Sequence, residues 1–130
     1  VNDVKAGRLL IIDDEPELRE VLVALLEDSV PNIAEAGDGM AAIELLGRES
    51  FDAILSDEKM PRKSGLDVLR WLRQNGIQTP FIIHSGFRHK DMAAEATRLG
   101  AFAFIDKPWD EKILINTVCD ALSAGLAKKT

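Results

Sequence analysis

Two adjacent acids, Asp13 and Asp14, a third acid at Asp57, a hydroxyl at Ser85 and an amine at Lys107 are side chains whose types could do chemistry together. Three carboxylates held within a few ångströms repel one another, raising at least one pKa, unless a cation neutralises them. An all-oxygen donor set in an open, wet site favours Mg²⁺. A lysine adds a fixed positive charge and a serine a hydroxyl donor, the groups needed to hold the oxygens of a phosphoryl group. Taken singly, each residue has a plainer role: the acids cap helices or form turns, Ser85 sits in a turn and Lys107 is surface charge. The chemistry therefore depends on whether the fold gathers them.

The elements that must do so are legible in the hydrophobic pattern. Arg8 to Asp13 (RLLIID), the run from Phe51 to Asp57 (FDAILSD), Pro80 to His84 (PFIIH) and Ala101 to Ile105 (AFAFI) are short apolar runs of the kind that form buried strands, and each leads into one of these residues. Asn32 to Ala36 is a weaker strand between them. The intervening segments have helical recurrence. The first begins near Glu15 and places Leu18, Val21, Leu22, Leu25 and Leu26 on one face, with Asp14 as its cap and Pro16 in the first turn. The second follows the turn Gly37-Asp38-Gly39, with Asp38 as cap and Met40, Ile43, Leu45 and Leu46 within it. Leu66, Leu69, Trp71 and Leu72 mark the third, which stops at Asn75-Gly76, and an Ala-rich fourth runs from Lys90 to Leu99 before Gly100. The last starts at Asp110, turns Ile113, Leu114, Thr117, Val118, Ala121 and Leu122 inward, and closes with Lys128 and Lys129 near the negative end of its dipole.

This alternation predicts an α/β fold, a doubly wound five-stranded parallel sheet with helices on both faces and right-handed crossovers. In such a sheet the residues that follow the strands lie along one edge, where ligands bind. Asp13, Asp14, Asp57, Ser85 and Lys107 would then meet, and their separate plain roles no longer account for the set.

Composition narrows the function classes. A chain of 130 residues with 46% hydrophobic and 29% charged residues fits one domain with one proper core. A net charge of -6 argues against direct nucleic-acid binding, which draws its affinity from clustered Lys and Arg. The single Cys119 cannot form an internal disulfide and is expected to be a small packed residue, in keeping with a reducing, cytoplasmic setting. No apolar run approaches the ~20 residues of a membrane span, and VNDVKAG lacks the apolar core of a signal peptide. The chain starts at Val1 rather than Met, as a piece of a longer protein would.

Asp13-Asp14 after the first strand, Asp57 with Met60-Pro61 and Gly65 behind it, Ser85-Gly86 after the fourth strand and Lys107-Pro108 after the fifth together resemble the receiver domain of two-component response regulators, a flavodoxin-like fold of the chemotaxis-regulator kind. The resemblance implies a receiver domain over residues 8–127 with 1–7 as an N-terminal tail, and the strand order 2-1-3-4-5. It implies phosphorelay signalling: Asp57 accepts a phosphoryl group from a histidine kinase or phosphotransfer protein, and the domain switches conformation to control an output domain or partner. It would be no enzyme toward a separate substrate, but a phospho-acceptor that catalyses its own phosphorylation and slow autodephosphorylation. By the same resemblance Asp14, Asp57 and the backbone carbonyl of Lys59 hold Mg²⁺ directly, and Asp13 acts mainly through water. Ser85 closes on the phosphoryl oxygens, Phe104 swings inward behind it, Lys107 pairs with the phosphoryl group and the Lys107-Pro108 bond is cis. Homodimers would form through the face made by the fourth helix, fifth strand and fifth helix.

Some positions depart from the commoner pattern of that family. His84 stands where an aliphatic residue is more frequent and is expected to be a hydrogen-bonded structural residue, while Phe104 replaces a tyrosine and lacks its hydroxyl. Trp109 is expected to pack at the start of the last helix. Lys59 and Phe87, two residues beyond Asp57 and Ser85, are expected at the rim where water attacks, with Phe87 shielding the phosphoryl group. Two rival chemistries fit less well. A flavin-binding domain needs a Ser/Thr/Gly-rich phosphate loop where Asp13-Asp14-Glu15 stands, and an aspartyl-phosphate hydrolase carries its nucleophile in a DxD pattern after the first strand.

Overall fold

Strand and helix alternate five times, as β1 (Arg8–Ile12), α1 (Pro16–Leu26), β2 (Asn32–Ala36), α2 (Gly39–Leu46), β3 (Ala53–Asp57), α3 (Gly65–Gln74), β4 (Phe81–Ser85), α4 (Lys90–Arg98), β5 (Ala103–Asp106) and α5 (Glu111–Ala127). The computed structural model describes residues 6–86 and 90–128. The strands form one sheet in the order β2-β1-β3-β4-β5, and every neighbouring pair is parallel. β5 begins at Ala103 rather than Ala101, because the Ala101 N–H closes back on Ala96 at the end of α4 and pairing with β4 starts only beyond it.

The central strands are apolar on both faces because both faces are covered. With side chains alternating along each strand, Leu9, Ile11, Leu55, Ile82 and Ile105 pack toward α1 and α5 with Leu22, Leu26, Leu114, Val118 and Leu122. Leu10, Ile12, Ile54, Phe81 and Ile83 pack on the other face with Ala42, Leu46, Val68, Leu69, Leu72 and Ala96 from α2, α3 and α4. Cys119 and Trp109 sit half-buried against the first of these cores, as small and large packing residues respectively.

Most helix ends follow local chemistry. Asp38 accepts the Ala41 N–H at 2.8 Å, Asp110 accepts the Ile113 N–H at 3.1 Å, and Ser64 and Asp67 close a reciprocal capping box. Gly76 and Gly100 take the left-handed conformation that ends α3 and α4. The start of α1 differs from the expectation. Glu15, not Asp14, occupies the cap position and makes no side-chain cap bond, while Asp13 Oδ1 accepts the Glu15 N–H at 2.9 Å.

Val21 and Ile113, expected to face inward, are 49% and 57% exposed. At ~100° per residue Val21 lies a quarter-turn from Leu22, and Ile113 lies as far from Leu114, so both fall off the buried stripe. Lys128 likewise does more than meet a dipole, because its ammonium donates to the Gln78 carbonyl. Lys129 lies outside the described residues. Arg73 ties three segments together, donating to the carbonyls of Leu99 and Gly100 after α4 and of Ile77 and Thr79 before β4. Among the described residues no helix is long and apolar enough to cross a membrane.

Candidate functional site

The carboxyl edge of the sheet gathers the residues named from the sequence. β1 delivers Asp13 and Asp14, and β3 ends on Asp57; one carboxylate oxygen from each of the three lies within 4.8 Å of the others. Lys107, just past β5, places Nζ 3.1 Å from Asp57 Oδ1. Its backbone is held too, because the Lys107 N–H donates to the Ser85 carbonyl at 2.9 Å and the following bond to Pro108 is cis. Ser85 is half-buried beside them, and Asp14, Asp57, Lys59, Met60, Ser85 and Lys107 border an open cleft of about 940 Å³.

Local packing fixes Asp57 from behind. The Ser56 hydroxyl donates to the Asp57 carbonyl at 2.8 Å, and Gly65 lies so close that a Cβ there would stand 2.5 Å from the same oxygen. Glycine is what lets the start of α3 close over the strand end. Glu58 assists, with its carboxylate accepting the Leu66 N–H at 2.9 Å and its backbone carbonyl accepting the Gly65 N–H at 3.0 Å. The intervening loop is anchored to α2 by Arg62, which has φ 69° and reaches Asp38 at 2.6 Å. Neither Ser56 nor Glu58 was singled out in the sequence, because a lone Ser or Glu beside a strand end carries no spacing signal of its own.

The acids are not equivalent. Asp13 is fully buried and Asp57 nearly so, at 0% and 5% exposure, whereas Asp14 is half-buried and lines the cleft. Burial pushes the Asp13 carboxyl up to about 6, the Glu15 N–H pulls it down and the charge of Asp57 adds to the rise. Desolvation, not the mutual repulsion expected from the sequence, is thus the leading cause. The donor set suits a hard divalent cation: three close carboxylates, all oxygen, with the buried Asp13 Oδ2 lacking a hydrogen-bond partner.

His84 departs most from expectation. It shares the α1/α5 side of the sheet with Ile82, is fully buried, and neither ring nitrogen has a hydrogen-bond partner. Its Nε2 stands 3.6 Å from Asp13 Oδ2, too long for a hydrogen bond, and its ring meets Trp109 edge-on with centroids 5.7 Å apart. Asp13 stands just beyond hydrogen-bond reach of the ring, so the expected bond is not made. The same burial, helped by Lys107, depresses the imidazole pKa to about 3 and keeps the ring neutral. Phe104 is half-buried against the core on the α2, α3 and α4 side, and Lys59 is exposed at the cleft. Phe87, the expected shield, lies outside the described residues.

The chain belongs to the response regulator receiver domain family, whose model matches residues 9–119. It is similar to the response regulator protein PilR of Pseudomonas aeruginosa, 38% identical over 115 residues, a match that covers 88% of this chain and 26% of PilR. It is also similar to the transcriptional regulatory protein CpxR of Escherichia coli K12, 36% identical over 109 residues, covering 84% of this chain and 46% of CpxR. The chain therefore spans only a quarter to a half of these relatives. Among solved structures, the signal receiver domain of a signal transduction histidine kinase from Syntrophus aciditrophicus superposes with a TM-score of 0.81 at 29% identity, covering 91% of each chain. As a receiver domain, the chain serves two-component, phosphorelay signal transduction.

Proposed function

We propose that Asp57 is the phosphoryl acceptor of this receiver and that residues 8–127 form the receiver unit, with 1–7 as a tail. The observation that carries the reading is the contact of Lys107 Nζ with Asp57 Oδ1 at 3.1 Å, inside a cluster of three carboxylates at an open cleft. An Asp57 oxygen attacks the phosphorus of a phosphohistidine on a kinase or phosphotransfer protein. The new C–O–P linkage forms as the P–N bond breaks, and the electron pair leaves with the imidazole nitrogen, which takes a proton. Such a reaction needs in-line placement and charge neutralisation more than covalent assistance. Lys107 supplies one positive charge from a fixed position, and Ser56 and Gly65 hold in place the Asp57 backbone that carries the nucleophile.

Asp14, Asp57 and the Lys59 carbonyl would hold Mg²⁺, with Asp13 acting through water, a division that the burial of Asp13 and the cleft positions of Asp14 and Lys59 support. When bound, the cation neutralises the acids and the incoming phosphoryl oxygens. The phosphorylated carboxyl offers Ser85 an acceptor that the free acid lacks, so its hydroxyl moves toward it and Phe104 turns inward, a population shift between two arrangements of one edge. Partners in this reading are a histidine kinase or phosphotransfer protein and an output domain or target, with a homodimer through α4, β5 and α5, no direct nucleic-acid contact and a cytoplasmic setting. The domain catalyses its own modification and slow autodephosphorylation, and turns over no separate substrate.

Acetyl phosphate with Mg²⁺ should add one phosphoryl group to the protein by intact mass, and borohydride trapping should place it at Asp57 as homoserine. Modification elsewhere, or none, overturns the assignment. Ser85→Ala should accept phosphate at the same residue yet show about ten-fold less population of the activated arrangement, because one hydrogen bond to a charged acceptor, worth ~1.5 kcal/mol, is gone. Amide chemical shifts of the phosphorylated variant measure this, and shifts matching the phosphorylated parent would exclude Ser85 as the switch.

A further inference from the structure

We propose that His84 is a positioning residue for the acidic cluster, its Nε2–H holding Asp13 Oδ2 so that the Asp13 carboxylate keeps the orientation needed beside a cation shared with Asp14 and Asp57. The inference rests on the cation-binding role given to those acids above. His84 and Asp13 are both fully buried, and Asp13 Oδ2, His84 Nδ1 and His84 Nε2 all lack hydrogen-bond partners. Folded proteins seldom leave such atoms unsatisfied, so a cluster of them marks a place where a partner, water or ion completes the set. Here two of the three already face each other across 3.6 Å, and a shift of roughly 0.6 Å makes the hydrogen bond.

The donor and acceptor count selects the arrangement. An ionised carboxylate offers only lone pairs, and a neutral imidazole offers one N–H and one lone pair, so the pair bonds only when the imidazole proton is on Nε2. Asp13 Oδ1 is already held by the Glu15 N–H at 2.9 Å. A second donor on Oδ2 removes the remaining freedom of the carboxylate to rotate, while each oxygen keeps a lone pair for the cation or its water. His84 is itself fixed. It pairs in register with Asp57 on the neighbouring strand, its carbonyl accepts the Glu58 N–H at 3.2 Å, and its ring packs edge-on against Trp109. His84 thus reaches from β4, level with Asp57 at the end of β3, to the acid that follows β1. The role needs no change in the protonation of the ring. Residues that orient a metal ligand from behind typically change metal affinity by about 10–100-fold when removed.

The test compares His84→Leu, which keeps the bulk and removes the donor, with His84→Gln, whose amide N–H can stand near the Nε2 position. Mg²⁺ affinity is measured by calorimetry on the whole chain, and urea unfolding midpoints are measured without Mg²⁺. His84→Leu gives up the bond to Asp13 but no longer buries an unpartnered Nδ1, so it should stay folded with a urea midpoint near that of the parent, and should bind Mg²⁺ about ten-fold more weakly; His84→Gln should recover to within about three-fold of the parent. A Leu variant that binds as the parent does, or a Gln variant as weak as Leu, overturns the proposal. Long-range ¹H–¹⁵N spectra of the Mg²⁺-loaded parent test it without any substitution: a proton on Nε2 of His84 supports it, and one on Nδ1 overturns it. A parent that binds no Mg²⁺ at millimolar concentration overturns the cation site and this inference together, whereas parental binding with an unchanged Leu variant overturns only the role of His84.

Discussion

Asp57→Asn is expected to cut the rate of phosphorylation by acetyl phosphate and Mg²⁺ by at least about a thousand-fold, a barrier increase of about 4 kcal/mol. An amide oxygen is a far weaker nucleophile than a carboxylate. Asp13 is fully buried, and the Lys107 ammonium pairs with Asp57 at 3.1 Å. The loss should be chemical and not a failure to fold. Asparagine keeps the volume, and removing a charge relieves the contribution of Asp57 to the raised Asp13 carboxyl while costing Lys107 its ion pair, two effects of opposite sign. The urea midpoint should therefore stay near that of the parent while intact mass shows no added phosphoryl group. Phosphorylation of the Asn variant at the parental rate would place the acceptor elsewhere.

Gly125→Ala should destabilise the fold by about 3 kcal/mol, although alanine is the better helix former by ~1 kcal/mol. Gly125 lies on the buried side of α5, where an added Cβ would overlap the Asp52 carbonyl oxygen and stand 2.7 Å from its carbon. That backbone has nowhere to retreat. The Asp52 N–H donates to the Arg8 carbonyl at 2.8 Å, and Asp52 Oδ2 accepts the Arg8 N–H at 2.8 Å, which ties the approach to β3 onto the start of β1. The steric cost must be met by moving the whole of α5. Gly47→Ala is the matched control, because its Cβ would meet nothing nearer than 3.5 Å, and it should leave stability unchanged or slightly higher. Urea midpoints decide: a Gly125→Ala midpoint within error of the parent would show that α5 can shift freely.

Much of the architecture is dictated locally. The apolar runs at 8–12, 53–57 and 81–85 need burial on both sides, and an alternating order of such strands with helices leaves few topologies that cover both faces of a sheet. Asp38 and Asp110 cap the helices that follow them, and Asn75-Gly76 stops α3, because these are interactions within a few residues of chain. The candidate site was legible for a related reason. Residues immediately after parallel strands must share one edge, so Asp13, Asp14, Asp57, Ser85 and Lys107 could be placed together before any distance was known.

What the pattern of residue types could not decide is where small angles or long-range neighbours rule. Val21 and Ile113 are apolar at helical spacing, yet a quarter-turn takes them off a stripe whose centre is set by what the sheet presents. Asp14 and Glu15 compete for the same cap by one residue of backbone, and the bond from Glu15 N–H to Asp13 Oδ1 settled it. Sequence alone determined which acids meet. Only the tertiary structure decided that Asp13 is the buried one, with desolvation outranking repulsion in its carboxyl, and that a histidine two strands away faces it, because burial and contact across a sheet depend on every layer packed around the site and not on the residues beside it in the chain.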